Sequence, residues 1–210
     1  NRRTDRAGVS GILEPVKSRF ASIVDLSPTL DDWCAWAVQH DISTEVIAFL
    51  RFRPDLLCHF EPTADLTNSP MPRTWAQAAR VLSLPLAPAV QRAAVDGAVG
   101  VGAATELFAF LAIAADMPNL DDLIANPEQW FIVPKKPAIL FAVVTGLSAK
   151  ATAATLAPIL VFADRLRAKG HGEFAALLLL DITRRDAALL SHPAFAKALR
   201  GPLGVLIAAA

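Results

Sequence analysis

The chain has 210 residues, 54% of them hydrophobic, with twenty basic and twenty acidic side chains. That composition buries a substantial core and excludes a disordered chain, and a net charge of zero excludes an overall field that would draw the protein onto nucleic acid or an anionic membrane. Two cysteines and four scattered histidines have no metal-ligand spacing, so no metal site is expected, and Cys34 and Cys58 are expected inside helices as small buried thiols of a reducing compartment.

The opening stretch, NRRTDRAGVSGILEPVKSRF, is polar and begins without methionine. Next comes RFASIVDLS, Arg19 to Ser27, whose β-branched centre and following proline give the one strand expected in the chain. A single strand cannot form a sheet, so its partners are expected from elsewhere. Thr29 and Asp32 then form an N-terminal capping pair for a helix with Leu30, Trp33, Cys34 and Ala37 on one face. Ser43 starts a second helix, carrying Val46, Ile47 and Leu50 inward, and Pro54 kinks or ends it by disfavouring helical geometry at Arg53.

Glu61 to Pro72, rich in Pro, Asn and Ser, is a surface loop. A third helix follows, with Thr74 and Gln77 in capping-box positions and Trp75, Ala78, Ala79 and Leu82 on its apolar face. After Pro85 the pattern predicts helices over roughly 88–96, 101–116, 119–125, 137–149, 153–168, 173–184 and 193–199, punctuated by Pro, Gly and Asn. The fold is thus mainly α. The apolar stretch from Asp96 to Asp116 is a buried helix rather than a membrane span, because Glu106 at its centre would cost about 2.5 to 3.5 kcal/mol in lipid.

Four short motifs bear on chemistry. ALLLLDIT, ending near Asp181, lacks the second acidic residue of a magnesium-binding strand, since Ile182 stands there, and reads as a core helix. GAVGVG, Gly97 to Gly102, lacks the Gly-Lys-Ser/Thr ending of a phosphate loop, and its small residues are expected to let two helices approach closely. Arg73 stands immediately before the predicted start of the third helix, where the macrodipole disfavours a cation by roughly 0.3 to 1 kcal/mol. An anion bound there by the guanidinium and the free N–H groups would account for it, and so would a solvated side chain that tolerates its position. Arg19 is open to the same two readings.

In order and spacing these segments resemble the tail of an AAA+ ATPase core of the MoxR-like, phage-type branch. NRRTDRAG resembles its sensor 1 segment, VKSRF the arginine-finger segment and PMPRTWAQAARVL the start of its sensor 2 helix. The resemblance covers roughly residues 1–84 and extends more loosely over GAVGVGAATELFAFL. It implies a remnant of an α/β core over 1–28, a helical lid over 29–84 and a helical extension over 85–210.

It also implies roles: Asn1 positions the attacking water or γ-phosphate, Arg19 acts on a neighbouring subunit's nucleotide, and Arg73 couples nucleotide state to lid rotation. ATP and magnesium would be held by the full-length parent, because the chain contains no phosphate loop and no acidic metal-binding strand. The implied assembly is a cytoplasmic hexameric ring that remodels a protein client, with no nucleic-acid or membrane partner. The alternative is a non-enzymatic, all-helical interaction module. A nucleic-acid module is disfavoured because Arg184 and Arg185 stand next to Asp181 and Asp186 and form no basic stripe.

Overall fold

The computed structural model describes residues 14–24, 27–60, 67–127 and 136–208. Among these the protein is built of α-helices and two short 3-10 turns, and no strand is present. The first helix, α1, spans Glu14–Lys17, and Arg19 lies in the turn behind it. The strand expected over Arg19 to Ser27 is not found: residues 20–24 are irregular, with Ile23 70% and Val24 80% exposed. A β-branched run becomes a strand only when a neighbour pairs with its N–H and C=O groups, and no described residue does so.

From Thr29 onward the local signals act as written. Helix α2, Leu30–Gln39, is capped by the Thr29 hydroxyl, which accepts from the Asp32 N–H at 3.2 Å and donates to the Asp32 carboxylate at 2.6 Å. It ends where Asp41 adopts a left-handed φ of 53°, allowing the Ile42 N–H to bond back to the Ala37 carbonyl at 3.1 Å. Helix α3, Thr44–Phe52, is capped by Ser43 and stops at Arg53, after which Pro54–Leu56 makes a 3-10 turn. Cys58 falls beyond that turn and is exposed, which corrects its expected place inside a helix, whereas Cys34 is buried on α2.

Helix α4, Pro72–Leu82, starts earlier than the Thr74 and Gln77 pattern suggests. Proline supplies the fixed φ suited to a first helical position, and Thr74, one turn inside, accepts the Met71 N–H at 2.9 Å. Gln77 is exposed and takes no part in the cap. The remaining helices are α5 Pro88–Val99, α6 Val101–Ala114, α7 Leu120–Ala125, α8 Pro137–Ala149, α9 Leu156–Ala168, α10 Gly172–Arg185, α11 Pro193–Leu199 and α12 Pro202–Ala208. All but α12 stand where periodicity predicts them.

Two apolar clusters form the core. The first draws on α2 to α6, around Phe49, Trp75, Leu107 and Phe110, and runs without interruption across residue 85. The second draws on α7 to α12, around Leu147, Leu156, Leu178 and Phe195. Helix α8 lies between them, giving Ala138 and Ala142 to the first and Ile139, Val143, Val144 and Leu147 to the second. Ten of its thirteen residues are buried. The Asp96 to Asp116 stretch is two helices parted at Gly100, and Glu106 forms an ion pair with Arg53. Among the described residues no helix is long and apolar enough to cross a membrane.

Candidate functional site

Arg73 is the second residue of α4, exposed, with no ion-pair partner among the described residues. Its mount is rigid. The Trp33 indole N–H donates to the Pro72 carbonyl at 3.1 Å, the Thr74 hydroxyl donates to the Ser69 carbonyl at 3.1 Å, and the Trp75 indole N–H donates to the Leu56 carbonyl at 2.7 Å. Trp75 is fully buried against Phe49, with ring centroids 5.5 Å apart. The start of the helix is therefore fixed from three directions while the guanidinium itself is free to meet an anion.

Arg19 is exposed in the turn after α1, where its own N–H donates to the Val16 carbonyl at 3.2 Å. Asn1 lies outside the described residues.

The glycine cluster forms the corner between α5 and α6. Gly100 has φ 83° and ψ 150°, a combination open essentially to glycine alone, and a Cβ there would stand 2.8 Å from the Asn68 carbonyl oxygen. The Asn68 side-chain amide donates to the Gly97 carbonyl at 2.8 Å, tying the 67–70 loop to the corner. A cleft of about 460 Å³ opens there, between His59, Asn68, Ser69, Gly100 and Glu106. Gly97 and Gly102 face open space, so the close approach expected of the small residues is made at Gly100 and by a loop rather than by a second helix.

The densest charge lies in the interior. Arg51 on α3 donates to both carboxylate oxygens of Asp181 on α10, at 2.6 and 2.8 Å, and to the Thr145 hydroxyl on α8 at 3.1 Å. Asp181, expected to flank a core helix, is itself fully buried. Burial works against the Arg51 cation, but the hydrogen bonds and charge of Asp181 outweigh it and hold the guanidinium above its usual range. Burial pushes the neighbouring Cys34 thiol up to about 11, which keeps it neutral and unreactive.

Arg184 approaches the Asp181 carboxylate at 3.8 Å. Arg185 is half-buried, and its Nε and Nη2 have no hydrogen-bond acceptor among the described residues; burial lowers its affinity for the proton. The ion pair is closed to solvent and joins three helices, so it serves the fold.

Sequence reading missed Arg51 because its partner lies 130 residues away and no local spacing links the two. Among the described residues no group of three or more His, Cys, Asp or Glu side chains is placed to hold a metal ion. No family model matches the chain, and comparisons with curated proteins and with solved structures find no match either.

Proposed function

We propose that the chain is the C-terminal part of a MoxR-like AAA+ ATPase, a lid and helical extension working within a ring that remodels a protein client. In this reading ATP and magnesium are bound by the full-length parent. Arg73 senses the nucleotide from the lid, Arg19 reaches the site of a neighbouring subunit in a hexamer, and Asn1 lies beside the γ-phosphate. The observation that carries the reading is the mount of Arg73: a guanidinium without an ion-pair partner among the described residues, on the first turn of a helix whose start is pinned by Trp33, Thr74 and Trp75. The exposed apolar side chains Phe20, Ile23 and Val24 support it as well, since a sheet of the parent core would cover them.

Phosphoryl transfer spreads negative charge over the transferring oxygens, and a finger arginine is worth about 10³ to 10⁵ in turnover in well-studied systems. In the full-length parent, Arg19→Ala is expected to remove most ATP hydrolysis while leaving ATP binding intact. Arg73→Ala is expected to weaken the coupling between binding and hydrolysis. Near-normal turnover by Arg19→Ala would take that residue out of the mechanism.

A second reading, a helical interaction module without enzymatic activity, is favoured by one observation. Among the described residues, both apolar clusters draw only on Leu30 onward and take nothing from Val16 to Val24. The gene's upstream sequence separates the two readings, because the ATPase requires a phosphate loop and an acidic strand there.

A further inference from the structure

At the end of α4 remote from Arg73, a cleft of about 510 Å³ opens between the C-terminal turns of α2 and α4 and the turn leading into α3. One wall is aromatic. Trp36 is 40% exposed although it is one of the largest apolar side chains, and the His40 ring stacks on it with centroids 4.7 Å apart at 22°. The His40 Nδ1 donates to the Trp36 carbonyl at 2.8 Å, which locks that ring and directs Nε2 away from the backbone. The Trp36 indole N–H has no acceptor among the described residues, in contrast to Trp33 beside it, which is buried and bonded to Pro72.

The opposite wall is α4. Ala76 and Ala79 make a shallow floor, and Arg80 is exposed with no carboxylate partner among the described residues. The Ser43 and Ser83 hydroxyls commit their protons to Glu45 and to the Arg80 carbonyl, at 2.6 and 2.8 Å, so each offers only lone pairs to the cleft. The cleft therefore presents a rigid aromatic face and, across from it, the Arg80 guanidinium; the Asp41 carboxylate also lines it and forms no ion pair with Arg80. Its volume lies within the range of small-ligand sites.

We infer that this cleft binds an aromatic carboxylate, the ring against Trp36 and the acid on Arg80. The ring gains an offset or edge contact with a pre-oriented indole, and the guanidinium supplies charge-assisted hydrogen bonds. The same chemistry comes from two sources, a free aromatic acid or the C-terminal aromatic residue of a peptide. The site is separate from Arg19 and Arg73 and stands whether or not the ATPase reading does.

Trp36 is its own reporter. The test titrates the 210-residue chain with phenylacetate, phenylacetamide and the tripeptide Gly-Gly-Phe while tryptophan emission is followed. Phenylacetate is expected to change the emission saturably, and phenylacetamide to bind about 10- to 100-fold more weakly, the factor belonging to a lost charged hydrogen bond. Arg80→Ala should impose the same loss on phenylacetate, and Trp36→Leu should abolish the signal; both side chains are exposed, and circular dichroism checks that the fold is kept. Tighter binding of Gly-Gly-Phe than of phenylacetate assigns the site to chain ends, and the reverse order to free acids. No saturation by phenylacetate or Gly-Gly-Phe up to about 10 mM, equal affinity for acid and amide, or an unaffected Arg80→Ala would each overturn the inference.

Discussion

Arg51 and Asp181 grip each other through two hydrogen bonds of 2.6 and 2.8 Å in an interior that excludes water from both. Removing one partner strands the other as an uncompensated buried charge, which costs about 3 to 5 kcal/mol. Arg51→Ala and Asp181→Ala are each expected to lower the unfolding free energy read from urea titration by that much. The double variant Arg51→Met/Asp181→Leu is expected to recover most of the loss, because two apolar groups of similar size need no partner. Single variants that cost less than about 1 kcal/mol would show that water reaches the pair after all.

The glycines at the corner between α5 and α6 should respond with opposite signs. Gly97→Ala adds a methyl group to open space within α5 and is expected to stabilise the protein by up to about 1 kcal/mol. Gly100→Ala forces a side chain into a backbone conformation it resists and against the Asn68 carbonyl, so a loss of about 1 to 3 kcal/mol is expected. Thermal melting of the two variants against the parent reads both. A harmless Gly100→Ala would mean that the corner rearranges freely.

The thiols differ in the same testable way. Cys58 is exposed and Cys34 buried, so a thiol reagent at neutral pH is expected to label Cys58 first, with Cys34 reacting only on unfolding. The unfolded Cys34 thiol ionises near 9.0, but the folded one only near 11. Below the lower value both states hold the proton and stability is unaffected; between the two the unfolded chain alone releases it, so stability falls as pH rises. The total loss is on the order of 2 to 3 kcal/mol, and Cys34→Ala should remove that part of the alkaline slope in a series of denaturant titrations.

Arg73 faces a conflict between stability and the role proposed for it. On the first turn of α4 a negative side chain suits the macrodipole better, so Arg73→Glu is expected to raise the stability of the chain by a few tenths to about 1 kcal/mol, less in high salt. If the guanidinium serves a nucleotide, the same change should impair ATP turnover in the full-length parent. A variant that gains stability without losing turnover would return Arg73 to the solvated surface.

How far the fold was legible in the sequence depended on the range of the interaction. Thr29, Ser43 and Pro54 each act within four residues, and α2 and α3 begin and end where they direct. The start of α4 moved because Pro72 is the better first residue and Thr74 caps from inside the turn. Arg19 to Ser27 has strand composition, but strand formation is decided by a partner, which no local pattern supplies. The Arg51 and Asp181 pair was hidden for the same reason: each residue alone is an ordinary charge on a helix. Arg80 and Trp36 were not singled out either, since their shared cleft exists only once α2 and α4 lie side by side.

Helix α8 carries a consequence for how the chain comes apart. Its two faces belong to different apolar clusters, and Thr145 on it accepts a bond from the ion pair that joins α3 to α10. Melting either half would strip one side of a helix that is buried nearly all round, so neither half keeps its own integrity once the other is lost. Calorimetry should therefore record one heat-absorption peak, with matching van't Hoff and calorimetric enthalpies, rather than two independent ones.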